Sequence, residues 1–155
     1  MSSTGPYLGL ISDTHGLLRP EALAALAGCE RIIHAGDIGK PDILDALAEL
    51  APVHAVRGNN DTADWASSLP HSLQLDWHGV CIFVTHEAAH FPADLYTRGF
   101  RVAICGHSHK PLIEERDGLL LINPGSAGPR RFRLPITVAR LHLEDGQVRS
   151  ELLDL

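Results

Sequence analysis

The first half of the chain alternates short apolar runs with amphipathic stretches. Residues 7–11, 31–35 and 53–56 read as buried strands, each brief, apolar and bounded by polar or turn-forming residues. Residues 19–27 read as a helix. Pro20 suits its first position, Glu21 suits the positive N-terminal end, and Gly28 suits the cap beyond its last turn. Residues 41–50 read as a second helix, with Ile43, Leu44, Leu47 and Leu50 on one stripe and Pro52 as the stop. This β-α-β-α-β order predicts parallel pairing through right-handed crossovers.

After Asp61 the pattern changes. Leu73, Leu75 and Trp77 alternate with polar residues, and His78-Gly79 turns into an apolar run at 80–84. Further strands are expected at 101–105, 111–115, 119–122, 136–143 and 148–153, with Asp117-Gly118 and Asp145-Gly146 as hairpin turns. A short helix is expected at 93–98, and residues 2–6 read as a loose end. There are no repeats, charge runs or low-complexity tracts. Residues 1–155 are therefore expected to form a single domain, long enough to bury a real core.

Five polar fragments each follow the end of a predicted strand: Asp13-Thr14-His15, Gly36-Asp37, Gly58-Asn59-Asn60-Asp61, Thr85-His86 and Gly106-His107-Ser108-His109. Ligands of open α/β sheets gather at the carboxyl ends of strands, so these loops can converge. Asp13 and His15 are two apart, as are His107 and His109; on extended backbone, each pair would share a face. Gly106 is expected to turn the chain sharply as it leaves its strand, and Gly36 and Gly58 likewise. Asp13, His15, Asp37, Asn59, His86, His107 and His109 are too many ligands for one four-coordinate ion. They suit two ions sharing a carboxylate, as in two-metal hydrolases of phosphate esters. Imidazole with carboxylate suits Mn, Fe, Co, Ni or Zn and lacks the all-oxygen character of a calcium site.

Composition narrows the picture. The net charge is −6, which argues against a nucleic-acid partner. It leaves room for a small phosphorylated substrate, because bound divalent ions reverse the local field. No run approaches the ~20 apolar residues of a membrane span and no signal peptide is visible, so no membrane partner is expected and the expected location is cytoplasmic. Cys29, Cys81 and Cys105 are scattered and read as reduced thiols. No Gly-x-Ser-x-Gly elbow points to a covalent mechanism. Self-association stays open.

The order Asp-x-His, Gly-Asp, Gly-Asn-x-Asp, His, Gly-His-x-His resembles that of the calcineurin-like metallophosphoesterases. Together with the short length and Leu121-Ile-Asn-Pro-Gly-Ser126, it is similar to the small bacterial and archaeal phosphodiesterase branch. The resemblance spans about residues 7–130. It implies an α/β fold: a four-layer α-β-β-α sandwich with two facing mixed β-sheets. It implies one metal on Asp13, His15, Asp37 and His109, and a second on Asp37, Asn59, His86 and His107, bridged by Asp37. The two divalent ions are expected to be Mn first, with Ni, Co, Fe or Zn as alternatives. A metal-activated water would attack the ester, with Asp37, Asn59, Asn60 and His86 as the catalytic set.

Two departures stand out. Relatives often carry His where this chain has Asn60, and that His is thought to protonate the leaving group, which Asn cannot do. They also often carry Gly where this chain has Glu87, which is expected simply to be exposed. His34 is expected to pack or to support the ligands. Asn123 and Ser126 are expected to form a turn, and Arg130, Arg131 and Arg133 a solvated loop. The alternatives to a phosphodiesterase are a phosphomonoesterase and a non-catalytic metal-binding scaffold for protein assembly.

Overall fold

The structure is a computed structural model and describes residues 5–155; residues 2–4 of the expected loose end lie outside them. Its first sheet contains β1 (Tyr7–Ile11), β2 (Arg31–His34) and β3 (Val53–Ala55), paired in parallel as expected. Helix α1 (Pro20–Leu26) joins β1 to β2, and α2 (Pro41–Ala48) joins β2 to β3. Both helices open on a proline with an acidic residue in the first turn.

The second sheet contains β4 (Ser72–Trp77), β5 (Val80–Thr85), β6 (Val102–Ile104), β7 (Leu112–Arg116) and β8 (Leu119–Asn123), in the order β4-β5-β6-β8-β7. The chain then returns to the first sheet as β9 (Thr137–Glu144) and β10 (Gln147–Asp154), giving β10-β9-β1-β2-β3. Both sheets are mixed and five-stranded. The three hairpins turn on His78-Gly79, Asp117-Gly118 and Asp145-Gly146, each with positive φ at both positions. That is the turn whose twist matches paired strands.

Alternation along each strand divides the core. Leu8, Leu10, Ile33 and Leu141 of the first sheet meet Ile82, Val84, Ile104 and Ile122 of the second. Ile11 and Ile32 face the other way, against Leu26, Ile43 and Leu47 of the helices. β1 is buried on both faces, which is why it reads as an unbroken apolar run. On the outer side of the second sheet, Phe83 and Ala103 pack against Leu95 and Phe100.

This outer layer is thin. The helix expected at 93–98 is a series of turns closed by Arg98 N–H to Asp94 O and Phe100 N–H to Leu95 O. Only Leu95 and Phe100 bury an apolar side chain there, too little to hold a regular helix against the sheet. A 3₁₀ turn at Ala88–His90 supplies the remaining helical piece. No helix among the described residues is long and apolar enough to cross a membrane.

Candidate metal centre

All five polar fragments emerge at one end of the sandwich. The loops after β1, β2 and β3 bring Asp13, His15, Asp37 and Asn59 from the first sheet; those after β5 and β6 bring His86, His107 and His109 from the second. Asp13, His15 and His109 form one trio whose ligand atoms lie within 4.8 Å of one another, and Asp37, His86 and His107 form another. Each trio draws on both sheets. Asn59 joins the second through its Oδ1, 3.2 Å from His107 Nδ1.

Asp13 is fully buried, and its two oxygens differ. Oδ2 accepts from the Ser12 hydroxyl (2.9 Å) and the His107 N–H (3.1 Å). Oδ1 has no hydrogen-bond partner and faces Nε2 of His15 (3.8 Å), His86 (3.8 Å) and His109 (3.6 Å). Asp37 Oδ2 lies 3.7 Å from His15 Nε2 and 3.2 Å from His86 Nε2, so it meets one imidazole of each trio. Nε2 of His15 and of His86 are likewise buried without a hydrogen-bond partner. Orphaned buried donors and acceptors are costly. These separations are close to the roughly 3 Å expected between neighbouring ligands, each about 2.1 Å from a shared ion. The donor set thus fits divalent transition ions.

The ligand tautomers are set from behind. His86 Nδ1–H donates to the Ala35 carbonyl (2.7 Å), leaving the Nε2 lone pair toward the carboxylates. Buried His34 accepts the Gly36 N–H at Nδ1 (3.1 Å) and therefore donates from Nε2 to Thr14 Oγ1 (3.0 Å). Thr14 in turn donates to the Ile38 carbonyl (2.8 Å), tying the Asp13–His15 loop to the Asp37 loop. Asp61 accepts from the N–H groups of Ile38, Gly39 and Gly58 at 2.9–3.1 Å, locking the second loop to the third.

Burial pushes the Asp13 carboxyl up to about 6, against the opposing pull of His86 and Ser12. Burial acts upward on Asp37 too, but its pairing with His86 and the Asn60 N–H outweigh it and hold that carboxyl at about 2. His86 is raised, since Asp37, the Ala35 carbonyl and Asp13 together overcome burial. Burial, and then the charge of Arg131, lower His109 to about 4. Two groups that pull apart within one cluster mark a functional site.

Several expectations are corrected. Asp13, His15, Asp37, His107 and His109 all have φ between +47° and +72°. The pairs two apart thus converge by left-handed curling of the loop, not by sharing a face of extended chain. Gly36 does turn, at φ +103°, but Gly58 and Gly106 serve close approach instead: a Cβ would lie 2.1 Å from Asp37 N and 2.0 Å from Ser12 Oγ, respectively. Glu87 is not simply exposed; its carboxylate lies 3.6 Å from His107 Nε2. Asn123 and Ser126 do more than turn the chain. Asn123 Nδ2 donates to the Gly106 carbonyl (3.0 Å), and Ser126 Oγ to the Asp13 carbonyl (3.1 Å).

Beside His86 and Asn59 opens a cavity of about 400 Å³, also lined by Arg57, His71 and His90. Arg57 donates to His71 Nε2 (2.8 Å), a pairing the sequence did not signal. Ser12 was also missed, because one serine beside an aspartate carries no spacing.

Residues 7–146 match the model of the calcineurin-like phosphoesterase superfamily domain. The chain belongs to that superfamily. It is 34% identical to a probable metallophosphoesterase of Methanothermobacter thermautotrophicus, over 94% of this chain and 91% of that one. Among solved phosphoesterase-like structures, it superposes on a novel archaeal phosphodiesterase with TM-score 0.79 at 25% identity, covering 95% and 99% of the two chains. It also superposes on Vps29 of Entamoeba histolytica complexed with zinc, with TM-score 0.76 at 21% identity over 96% and 98%. The latter likeness is one of fold.

Proposed function

We propose that the protein is a metal-dependent hydrolase of phosphate esters, with phosphodiesters as its preferred class, working in the cytoplasm as a single catalytic domain over residues 1–155. What carries the reading is the convergence of buried, unpartnered Asp13 Oδ1, His15 Nε2 and His86 Nε2 on one point between two sheets. Asp13, His15, Asp37 and His109 would hold one divalent ion. Asp37, Asn59, His86 and His107 would hold the other, Mn being the first candidate. When bound, such ions would lower the pKa of a coordinated water and offset charge gathering on a phosphoryl oxygen.

The chain's own residues prepare this. Ser12 and the His107 N–H occupy one oxygen of Asp13 and leave the other free. The Ala35 carbonyl fixes the His86 tautomer. The nearby Cys105 thiol does not compete as nucleophile: burial pushes it up to about 11, so it stays protonated. The diester preference rests on the likeness to the archaeal phosphodiesterase.

The test is metal analysis of the purified protein, with a panel of phosphodiesters and monoesters under Mn, Ni, Co, Zn and Mg. About two ions per chain and turnover of diesters above monoesters are expected. Stoichiometric metal without turnover of any ester would favour the scaffold reading.

A further inference from the structure

One part of the site's edge takes no part in holding the ligand side chains. After β8 the chain is pinned to the loop that carries Asp13 and His15. Ala127 N–H donates to the Ser12 carbonyl (3.0 Å), Ser126 Oγ to the Asp13 carbonyl (3.1 Å), and the Arg19 guanidinium to the Gly128 carbonyl (3.2 Å). A Cβ on Gly128 would lie 2.2 Å from the Thr14 carbonyl oxygen, so the two segments touch backbone to backbone. The segment 129–135 therefore starts at the rim of the cluster. It doubles back through Leu134 N–H to the Arg131 carbonyl (3.2 Å). Its tip, Phe132, is 87% exposed and has φ +54°. Lys110, the residue after His109, joins Phe132, Arg133 and Leu134 along an open groove of about 730 Å³.

A solvated loop accounts for Arg130, Arg131 and Arg133 but not for Phe132. A bulky residue with positive φ is strained, and an exposed ring forgoes the gain of burial. In a chain of net charge −6, four cations around one bare aromatic ring also run against the background. The pair of features has a common chemical complement. Aromatic rings stack on nucleobases whatever their sequence, and guanidinium groups pair with phosphate oxygens.

We infer that the Lys110–Phe132–Arg133 rim binds the organic substituent of the substrate, and that this substituent is a nucleoside carrying phosphate. The inference rests on the phosphoesterase reading of the adjoining cluster and names its substrate class. The base stacks on Phe132, and the arginines meet charge not engaged at the ligand cluster.

Two p-nitrophenyl diesters with the same leaving group test this: the p-nitrophenyl ester of thymidine 5′-phosphate and methyl p-nitrophenyl phosphate. The Mn-loaded wild type should favour the nucleoside ester in kcat/KM by about tenfold, mainly through KM. Phe132→Ala should collapse that ratio toward one, and Phe132→Trp should keep it. A wild-type ratio near one, or a ratio that survives Phe132→Ala, overturns the inference. A second arm needs no turnover. By calorimetry, the Mn-loaded wild type should bind adenosine 5′-monophosphate about tenfold tighter than ribose 5-phosphate, and Phe132→Ala should bind the two alike. Equal wild-type affinities overturn the inference. Nucleotide selectivity in a protein that cleaves no ester would uphold it and defeat the hydrolase reading instead. A wild-type dimer that Phe132→Ala renders monomeric would make the ring a subunit contact and also overturn it.

Discussion

Asn60 holds Asp37 by both of its nitrogens: its backbone N–H donates to Oδ1 (2.9 Å) and its side-chain amide to Oδ2 (3.1 Å). The amide is thus committed to the Asp37 carboxylate. Asn60→Ala should weaken metal binding or turnover by about 10–100-fold, the usual cost of losing a group behind a ligand. In the wild type, the rate should rise steeply as the leaving group becomes more acidic, because this position supplies no proton. A flat dependence, with chemistry shown to be rate-limiting, would mean that another acid is at work.

The two trios should empty separately. His109→Ala and His86→Ala should each lose about one metal per chain, with activity falling steeply in both. Asp37→Asn should lower occupancy at both positions. Anomalous diffraction would locate what remains, and both histidine variants vacating the same position would defeat the division.

His34 gives the metal-free protein an acid sensitivity. Complete burial lowers its pKa from 6.5 to about 3. Between those values the unfolded chain holds a proton that the native state does not. Stability should therefore fall with acid through that window, by about 1.4 kcal/mol per pH unit for this one group. His34→Gln should remove that increment from the slope, read by urea unfolding of chelator-stripped protein at several pH values. An unaltered slope would assign the sensitivity to other groups.

Asp61 is buried with three backbone N–H groups on its carboxylate. Asp61→Ala would leave all three without a partner, at about 3 kcal/mol or more of stability. The expected readout is a lower urea midpoint with an unchanged slope. A midpoint within experimental error of the wild type would show that water replaces the carboxylate.

The sequence carried the strands and both helices because burial leaves a periodic mark: β1 is apolar throughout, and Leu47 falls on the stripe that packs on the first sheet. Asp13, His15, Asp37, His86 and His109 could be picked out because they stand at strand ends, and strand ends in such sheets point one way. Their conformation could not. Left-handed backbone at Asp13 and His107 is imposed by contacts such as His107 N–H to Asp13 Oδ2, across 94 residues of chain. The reason for Gly58 and Gly106 is equally non-local, since each clears room for a segment from another loop. Arg57 and His71 meet across 14 residues of chain, where Pro70 accepts a backbone hydrogen bond from Arg57 and His71 one from the Thr85 hydroxyl.

Each trio takes residues from both sheets, which gives any bound ion a mechanical office. An ion held by Asp13 and His109, or by Asp37 and His86, is a rivet through the open end of the sandwich. Its binding energy resists separation of the two halves as well as loss of the ligands. The relation runs both ways. Trimming Ile33 or Ile104, both buried in the core shared by the two sheets and neither among the candidate ligands, would let the sheets shift and loosen the grip on metal. The rivet should conversely keep such a trimmed protein folded at temperatures that open it once the ions are withdrawn.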